Sequence, residues 1–274
     1  MKLHEIYSKK NTVISFEVFP PHENEEGFFS ELDKLKVWEP AFISLTCHAG
    51  KSFDNILARM TESFNVMPHL TCVCSSKESV ERDLKTISDM GIENILALRG
   101  DLPENHQPTD FNYAYELVEF IKEKSNLSVA VAGYPEGHIE AADIFADIEA
   151  LKQKVDAGAD AIFTQLFFDN DKFFNFVQLV RDSGIKIPVI PGIMPIISHK
   201  QITRMTSMAN ITVPQTLMQK IEQFKDNPSD MKKLGIEFAS GQCQQLLDAQ
   251  VSGLHFYTLN KSYSTTKILE NILC

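Results

Sequence analysis

The stretch ISFEVFPP, residues 14–21, sets one glutamate among apolar residues and then stops on two prolines. Side chains alternate along an extended chain, so Ile14, Phe16 and Val18 share one face while Ser15 and Glu17 share the other. A strand covered on both faces reads as a nearly continuous apolar run, which is what surrounds Glu17. Proline has no N–H for a ladder, so Pro20 and Pro21 end the strand just past the carboxylate and stiffen the loop that follows.

Seven further runs of this kind follow: AFISLTC (41–47), VMPHLTC (66–72), NILALRG (94–100), SVAVAGY (128–134), AIFTQLFF (161–168), IPVIPGI (187–193) and GLHFYTL (253–259). Segments with helical apolar spacing lie between most of them, such as Val80, Leu84, Ile87 and Met90, which end at the helix-stopping Gly91. Eight strands alternating with helices, joined by right-handed crossovers, predict an α/β chain closed as a (β/α)8 TIM barrel, with a doubly wound open sheet as the fallback. The interval from Ser198 to Ser252 is long enough for extra helices between strands 7 and 8. No Pro/Gly/Ser-rich linker divides the chain, so residues 1–274 are expected to form one catalytic domain.

Lys and Arg number 26 against 37 Asp and Glu, a formal charge of −11 that argues against a nucleic-acid or anionic-membrane partner. The five cysteines are scattered without a CxxC pair, which suits a reducing compartment. The N-terminus lacks the apolar stretch of a signal peptide, and no run approaches the ~20 apolar residues that span a bilayer. The expectation is a soluble cytoplasmic protein. The histidines show no HxH or HxxxH spacing, so no metal site is expected. Neither GxGxxG nor GxxxxGK[ST] occurs, so a dinucleotide would have to be held by other means.

In a barrel, chemistry collects at the C-terminal strand ends. Alternation places Glu17 inward on the first strand, Ser44 and Thr46 on the second, His69 and Thr71 on the third, Ala97 and Arg99 on the fourth with Asp101 beyond, and Gln165 on the sixth. Tyr134, Glu136 and His138 follow the fifth. Taken singly, each has a structural alternative: an ion pair or loop anchor for Glu17, a satisfied core histidine for His69 or His138. Their gathering on one rim favours a site.

SFEVFPP, PHLTC, LALRGDLP, GYPEGH, LKQKVDAGADAIFTQLFFD, PVIPGIMPI and LHFYTLN, in this order and spread over nearly the whole chain, resemble the bacterial methylenetetrahydrofolate reductases. The resemblance implies a barrel flavoprotein that holds FAD without a Rossmann motif and uses NADH or NADPH, in a ping-pong reaction, to reduce 5,10-methylenetetrahydrofolate to 5-methyltetrahydrofolate for methionine biosynthesis. It also implies a homo-oligomer, and a chain that stops where the short bacterial enzymes stop, without a regulatory domain.

Carried over residue by residue, Glu17 matches the general acid that helps open the folate ring. Asp101 matches an aspartate beside the flavin and pterin, and Gln165 a glutamine that contacts folate and nicotinamide in turn. For FAD the resemblance points to Thr46, His48, Ala49, His69, Arg99, Gly100, Asp101, Ala132, Tyr134, His138, Asp147 and Lys154. On the substrate side it adds Gln201 and Lys261. Departures are Ala150 and Gln153 where relatives carry Asn and Arg, Cys47 where many have Tyr, Met205 in place of a stacking aromatic, and Lys261 where Arg meets the folate tail. An acid working near neutral pH needs a raised pKa, and the apolar neighbours of Glu17 in sequence suggest one. Two other readings fit a flavin barrel: a proline-dehydrogenase-like oxidase, and a folate- or flavin-binding partner without nicotinamide activity.

Overall fold

The computed structural model of the chain describes residues 1–8, 12–21, 23–46, 54–102, 109–209 and 211–274. The elements run α1 (Leu3–Tyr7), β1 (Val13–Val18), α2 (Glu25–Leu35), β2 (Phe42–Leu45), α3 (Asp54–Thr61), β3 (Val66–Thr71), α4 (Lys77–Asp89), β4 (Asn94–Leu98), α5 (Ala114–Lys124) and β5 (Ser128–Gly133). They continue α6 (Ile144–Asp156), β6 (Ala161–Leu166), α7 (Asn170–Asp182), β7 (Val189–Ile193), α8 (His199–Ala209), α9 (Gln215–Gln223), α10 (Pro228–Asp248), β8 (Gly253–Tyr257) and α11 (Ser262–Leu273). All eight strands pair in parallel in sequence order, and β8 closes on β1. The chain is the predicted barrel, and α8, α9 and α10 fill the long interval before the eighth strand. Most of the apolar runs overshoot their strands by one or two residues at the C-terminal end, where the chain leaves the ladder to build the rim.

Parity decides what each strand residue meets. Ile14, Phe16 and Val18 pack outward with Phe28, Leu32 and Leu35 of α2. The interior is filled by Val13, Phe42, Met67, Leu96, Ala130, Ala161, Phe163 and Ile190, and α1 adds Leu3 and Ile6 to the same cluster. Ser15 and Glu17 point inward as alternation requires. On the fourth strand the expected parity is reversed: Leu96 and Leu98 belong to the interior cluster, whereas Ala97 packs with the outer, helix-side core. A one-residue change of register inverts every face, and a run that is apolar on both sides carries no mark of which is which.

The inserted helices form their own apolar cluster, with Ile202, Leu217, Ile221, Met231 and Leu234 meeting Leu166, Phe168 and Met194 from the barrel strands and loops. Asn227 caps α10 by accepting from the N–H groups of Ser229 and Asp230, with Pro228 in the first turn. Among the described residues no helix is long and apolar enough to cross a membrane.

Candidate active site

Glu17 sits near the C-terminal end of β1, in register with Ser44 of β2 and Tyr257 of β8. It is 8 % exposed. Its Oε2 lies 3.2 Å from His69 Nε2 and 3.5 Å from His255 Nε2. Ser44 Oγ donates to Oε2 at 3.4 Å and Thr46 Oγ1 to Oε1 at 3.5 Å. The surroundings are therefore polar, not apolar, and the expected raised pKa is overturned. Burial pushes the Glu17 carboxyl up, but attraction to His69 and His255 outweighs it and holds the group well below the ordinary carboxylate range. The raised-pKa expectation fails because both histidines come from strands distant in sequence.

The backbone of Glu17 is clamped by the end of β8. Its carbonyl accepts from Thr258 Oγ1 at 2.8 Å and from Thr258 N–H at 3.2 Å. Leu259 and Asn260 then take left-handed conformations, φ 54° and 59°. Two consecutive non-glycine residues there are uncommon, and such strain persists only where surrounding contacts hold it.

Beside this mouth, between β4, β5, α5 and α6, lies a cleft of about 370 Å³. Arg99, Tyr134, His138, Asp147 and Lys154 line it together with Ala132, Ala146, Ala150 and Gln153. Lys154 donates to the carbonyl of Ala132 at 2.8 Å, and burial draws its pKa down to about 8 although Asp147 opposes the shift. Burial raises the Asp147 carboxyl, with Lys154 the largest opposing influence. The Lys154 ammonium is thus undercompensated, which suits an anionic ligand. Arg99 is already paired with Glu140 at 2.5 Å, so it is not a free cation. The edge of the Tyr134 ring meets His138 at 4.7 Å between centroids. Ala150 and Gln153 line the same cleft, one an apolar and the other an uncharged contact.

Gly100 adopts φ 85°, and a Cβ there would lie 2.7 Å from Val73 Cγ1, so the RGD turn requires glycine. Asp101 next to it is exposed. Gln165 is half-buried on β6, where the ladder to β7 is irregular, and its Oε1 folds back to accept from Leu166 N–H. Gln201 spends its amide within the loop after β7, accepting from Ile197 N–H at 2.8 Å and donating to Pro195 O at 3.1 Å. Met205 packs on the inserted-helix cluster, and Lys261 is exposed just before α11. Cys47, His48 and Ala49 lie outside the described residues.

Alternation applied to GLHFYTL would have turned His255 and Tyr257 inward, just as it turned Glu17, yet His255 was not among the expected site residues. Glu140 carried no signal, because its partnership with Arg99 joins two loops. Gly192 is also part of the site's frame: a Cβ there would come within 2.3 Å of Thr164 O and 2.6 Å of the Tyr257 ring. Its absence lets the Tyr257 hydroxyl donate to Thr164 O at 2.8 Å.

The family model described as Methylenetetrahydrofolate reductase matches residues 2–273. Methylenetetrahydrofolate reductase (NADH) 1 of Arabidopsis thaliana is 38 % identical over 295 residues, covering 99 % of this chain and 50 % of its own length. The 5,10-methylenetetrahydrofolate reductase of Pectobacterium carotovorum subsp. carotovorum is 35 % identical over 257 residues, covering 91 % of this chain and 86 % of its own. The chain spans about half the length of the plant relative, and most of the bacterial one. Among solved structures, an uncharacterized protein from Clostridium thermocellum that binds two copies of 5-methyl-5,6,7,8-tetrahydrofolic acid superposes with a TM-score of 0.69 at 11 % identity, covering 99 % of this chain and 98 % of its own, a likeness of fold. On the match across residues 2–273 and the identity to the bacterial enzyme, the chain belongs to the methylenetetrahydrofolate reductase family.

Proposed function

We propose that this protein reduces 5,10-methylenetetrahydrofolate to 5-methyltetrahydrofolate, with FAD as resident cofactor and NADH or NADPH as reductant. The observation that carries the reading is a buried carboxylate between two imidazoles at the C-terminal mouth of a barrel, beside a cleft with an undercompensated lysine. The names of the relatives support it: the Arabidopsis protein is named for NADH and a Caenorhabditis elegans relative, 33 % identical, for NADPH. The barrel from Clostridium thermocellum that binds the methylated folate adds support from the same fold.

The cleft residues fit FAD. Lys154 would face its negative charge, with Arg99 available if Glu140 yields, while Ala132, Ala146 and Ala150 leave a floor without bulk and Tyr134 and His138 border it. The turn at Gly100 allows backbone to approach closely. When bound, the flavin supplies hydride transfer, taken from the nicotinamide and passed to the folate carbon. The protein's own task is to orient the ligands and move a proton. Glu17 donates to a folate nitrogen as the five-membered ring opens, Asp101 reaches the pterin from the rim, and Gln165 unfolds from its own strand to contact folate or nicotinamide. Admission of the two substrates in turn to one face gives ping-pong kinetics.

The test is a visible spectrum of the purified protein, followed by anaerobic addition of NADH or NADPH and then methylenetetrahydrofolate. A yellow protein that bleaches with nicotinamide and regains colour with folate is expected. A colourless protein that cannot be reconstituted with FAD would end the proposal.

A further inference from the structure

At its C-terminal end β6 stops pairing regularly with β7. Phe163 stands in register with Ile190 and Leu166 with Gly192, so β6 carries one residue more than β7 across that stretch. A bulge of this kind breaks the ladder and re-aims the side chain beside it. Thr164 mends part of the gap, its Oγ1 accepting from Gly192 N–H at 3.0 Å. Gln165 comes next, half-buried, its Oε1 accepting from Leu166 N–H of its own strand at 3.0 Å.

Beyond Leu166 the chain leaves the sheet, and the carbonyl of Phe167, a residue 1 % exposed, needs a partner that the ladder does not supply. The partner is Gln242 of α10, itself buried, whose Nε2 donates to Phe167 O at 2.9 Å. Asn170, the first residue of α7, seats this part of α10: its Nδ2 donates to Gln242 O at 3.1 Å and to Gln245 Oε1 at 2.9 Å. The Phe167 ring stacks on Phe173 of α7, with centroids 5.2 Å apart and planes at 14°. On the opposite side Phe168 meets Phe238 of α10 at 6.3 Å. Asp169 caps α7 by accepting from Asp171 N–H at 3.0 Å. The short link from β6 to α7 is thus held along its whole length, by α7 and by the last of the inserted helices.

We propose that Gln242, seated by Asn170, is a positioning residue: it fixes the end of β6 so that Gln165 meets the ligands at the mouth of the barrel. The task given to Gln165 rests on the reductase reading; the hold on β6 does not. Satisfying a buried carbonyl is a contribution to stability. The place of that carbonyl, two residues after Gln165 and just past a bulge, gives the clamp its second task. Gln165 has to leave Leu166 N–H to reach folate or nicotinamide, and a backbone free to shift at the bulge would carry its amide off target. Misplacement by about 1 Å, caused far from the reacting atoms, can cost about 10²-fold.

The test reads Gln165 directly, by nitrogen-15 NMR of protein labelled at the glutamine side-chain amides, with its signal assigned by loss in Gln165→Ala. Gln242→Leu is expected to shift that signal. It should also raise the half-saturating concentrations of NADH or NADPH in flavin reduction and of methylenetetrahydrofolate in flavin reoxidation by about 3- to 10-fold, with saturating rates changed less than about twofold. On a Gln165→Ala background the same substitution should add less than about twofold to either concentration, while lowering the denaturant midpoint equally on both backgrounds. Asn170→Ala should act in the same direction by less, and it decides alone if Gln242→Leu does not fold. An unmoved Gln165 signal, or penalties that multiply in full on the Gln165→Ala background, overturns the proposal. If the signal moves but the wild-type protein reduces no folate, the clamp stands and the reductase reading falls.

Discussion

Asn260 grips the backbone of Phe19 with both ends of its amide: Oδ1 accepts from Phe19 N–H at 2.8 Å and Nδ2 donates to Phe19 O at 2.9 Å. The loop after β8 thereby holds the chain just beyond Glu17, where Pro20 and Pro21 prevent further strand pairing. Each such bond contributes about 0.5–1.5 kcal/mol. Asn260→Ala should lower stability by about 1–3 kcal/mol, including the cost of a left-handed alanine, and slow folate reduction more than flavin reduction. Asn260→Asp keeps one of the two bonds and should fall between. Denaturant midpoints together with the two half-reactions measure this.

Glu17→Gln keeps the shape of the site and removes its titratable carboxyl. Flavin reduction by nicotinamide should survive, while folate-dependent reoxidation falls by about 10²–10⁴, the usual contribution of a positioned acid. Stopped-flow absorbance separates the two, and a parallel loss of both would assign Glu17 a structural role only.

Lys154 is the cation whose folded pKa is drawn below its ordinary 10.5 to about 8 by burial. Between those values the unfolded chain binds the proton that the folded chain has lost, so flavin-free protein should gain stability as pH rises from about 8 to 10.5. Lys154→Met should lack this rise. It should also bind FAD about tenfold more weakly or worse, for want of one charge-assisted contact of about 1.5–3 kcal/mol. Thermal melts across this pH interval and a flavin titration check both parts.

Glu31 of α2 accepts from both the N–H and the Oγ of Ser262 at 2.7 Å, capping α11, and it pairs with Lys34. Burial is the largest single influence and raises its pKa, but Lys34 and Ser262 together outweigh it and bring it to about 2 from 4.5. For a depressed carboxyl the stabilisation is present above the unfolded value and lost as pH falls through the folded one. Glu31→Gln should therefore be less stable than wild type above pH 4.5, and the gap should close as the pH approaches 2. Urea midpoints at pH 7, 4.5 and 3 would show the convergence; a constant gap would rule out the linkage.

Gly192→Ala places a methyl against Thr164 O and the Tyr257 ring. The backbone oxygen cannot move without disturbing β6, so a loss of about 1–3 kcal/mol or more is expected. Tyr257→Phe, which removes only the bond to Thr164 O, should cost less. Comparing the two by calorimetry separates the clash from the lost hydrogen bond.

The barrel was legible because its signals are local. Runs such as VISFEVF and SVAVAGY mark strands by composition, Gly91 and the paired prolines punctuate them, and eight alternations leave few closed topologies. The inward turn of Glu17 followed from the alternation of five residues, Ile14 to Val18. The same rule gave the wrong face on β4, where Leu96, Ala97 and Leu98 are all apolar and only the packing shows that Leu96 and Leu98, not Ala97, face the interior.

The resemblance to a family could name site residues but not their partners. Gln201 is drawn into its own loop, Arg99 is held by Glu140, and Glu17 stands between imidazoles instead of apolar side chains. These are through-space facts. Ser15 and His255 lie 240 residues apart in the chain and touch only because β8 closes on β1. Periodicity is set by dihedral angles and neighbours a few residues away, so the sequence by itself determined the strands, their order and the face that Glu17 presents. A carboxylate's pKa depends on which charges stand within a few ångströms, and only closure of the barrel decided that two of them would be histidines.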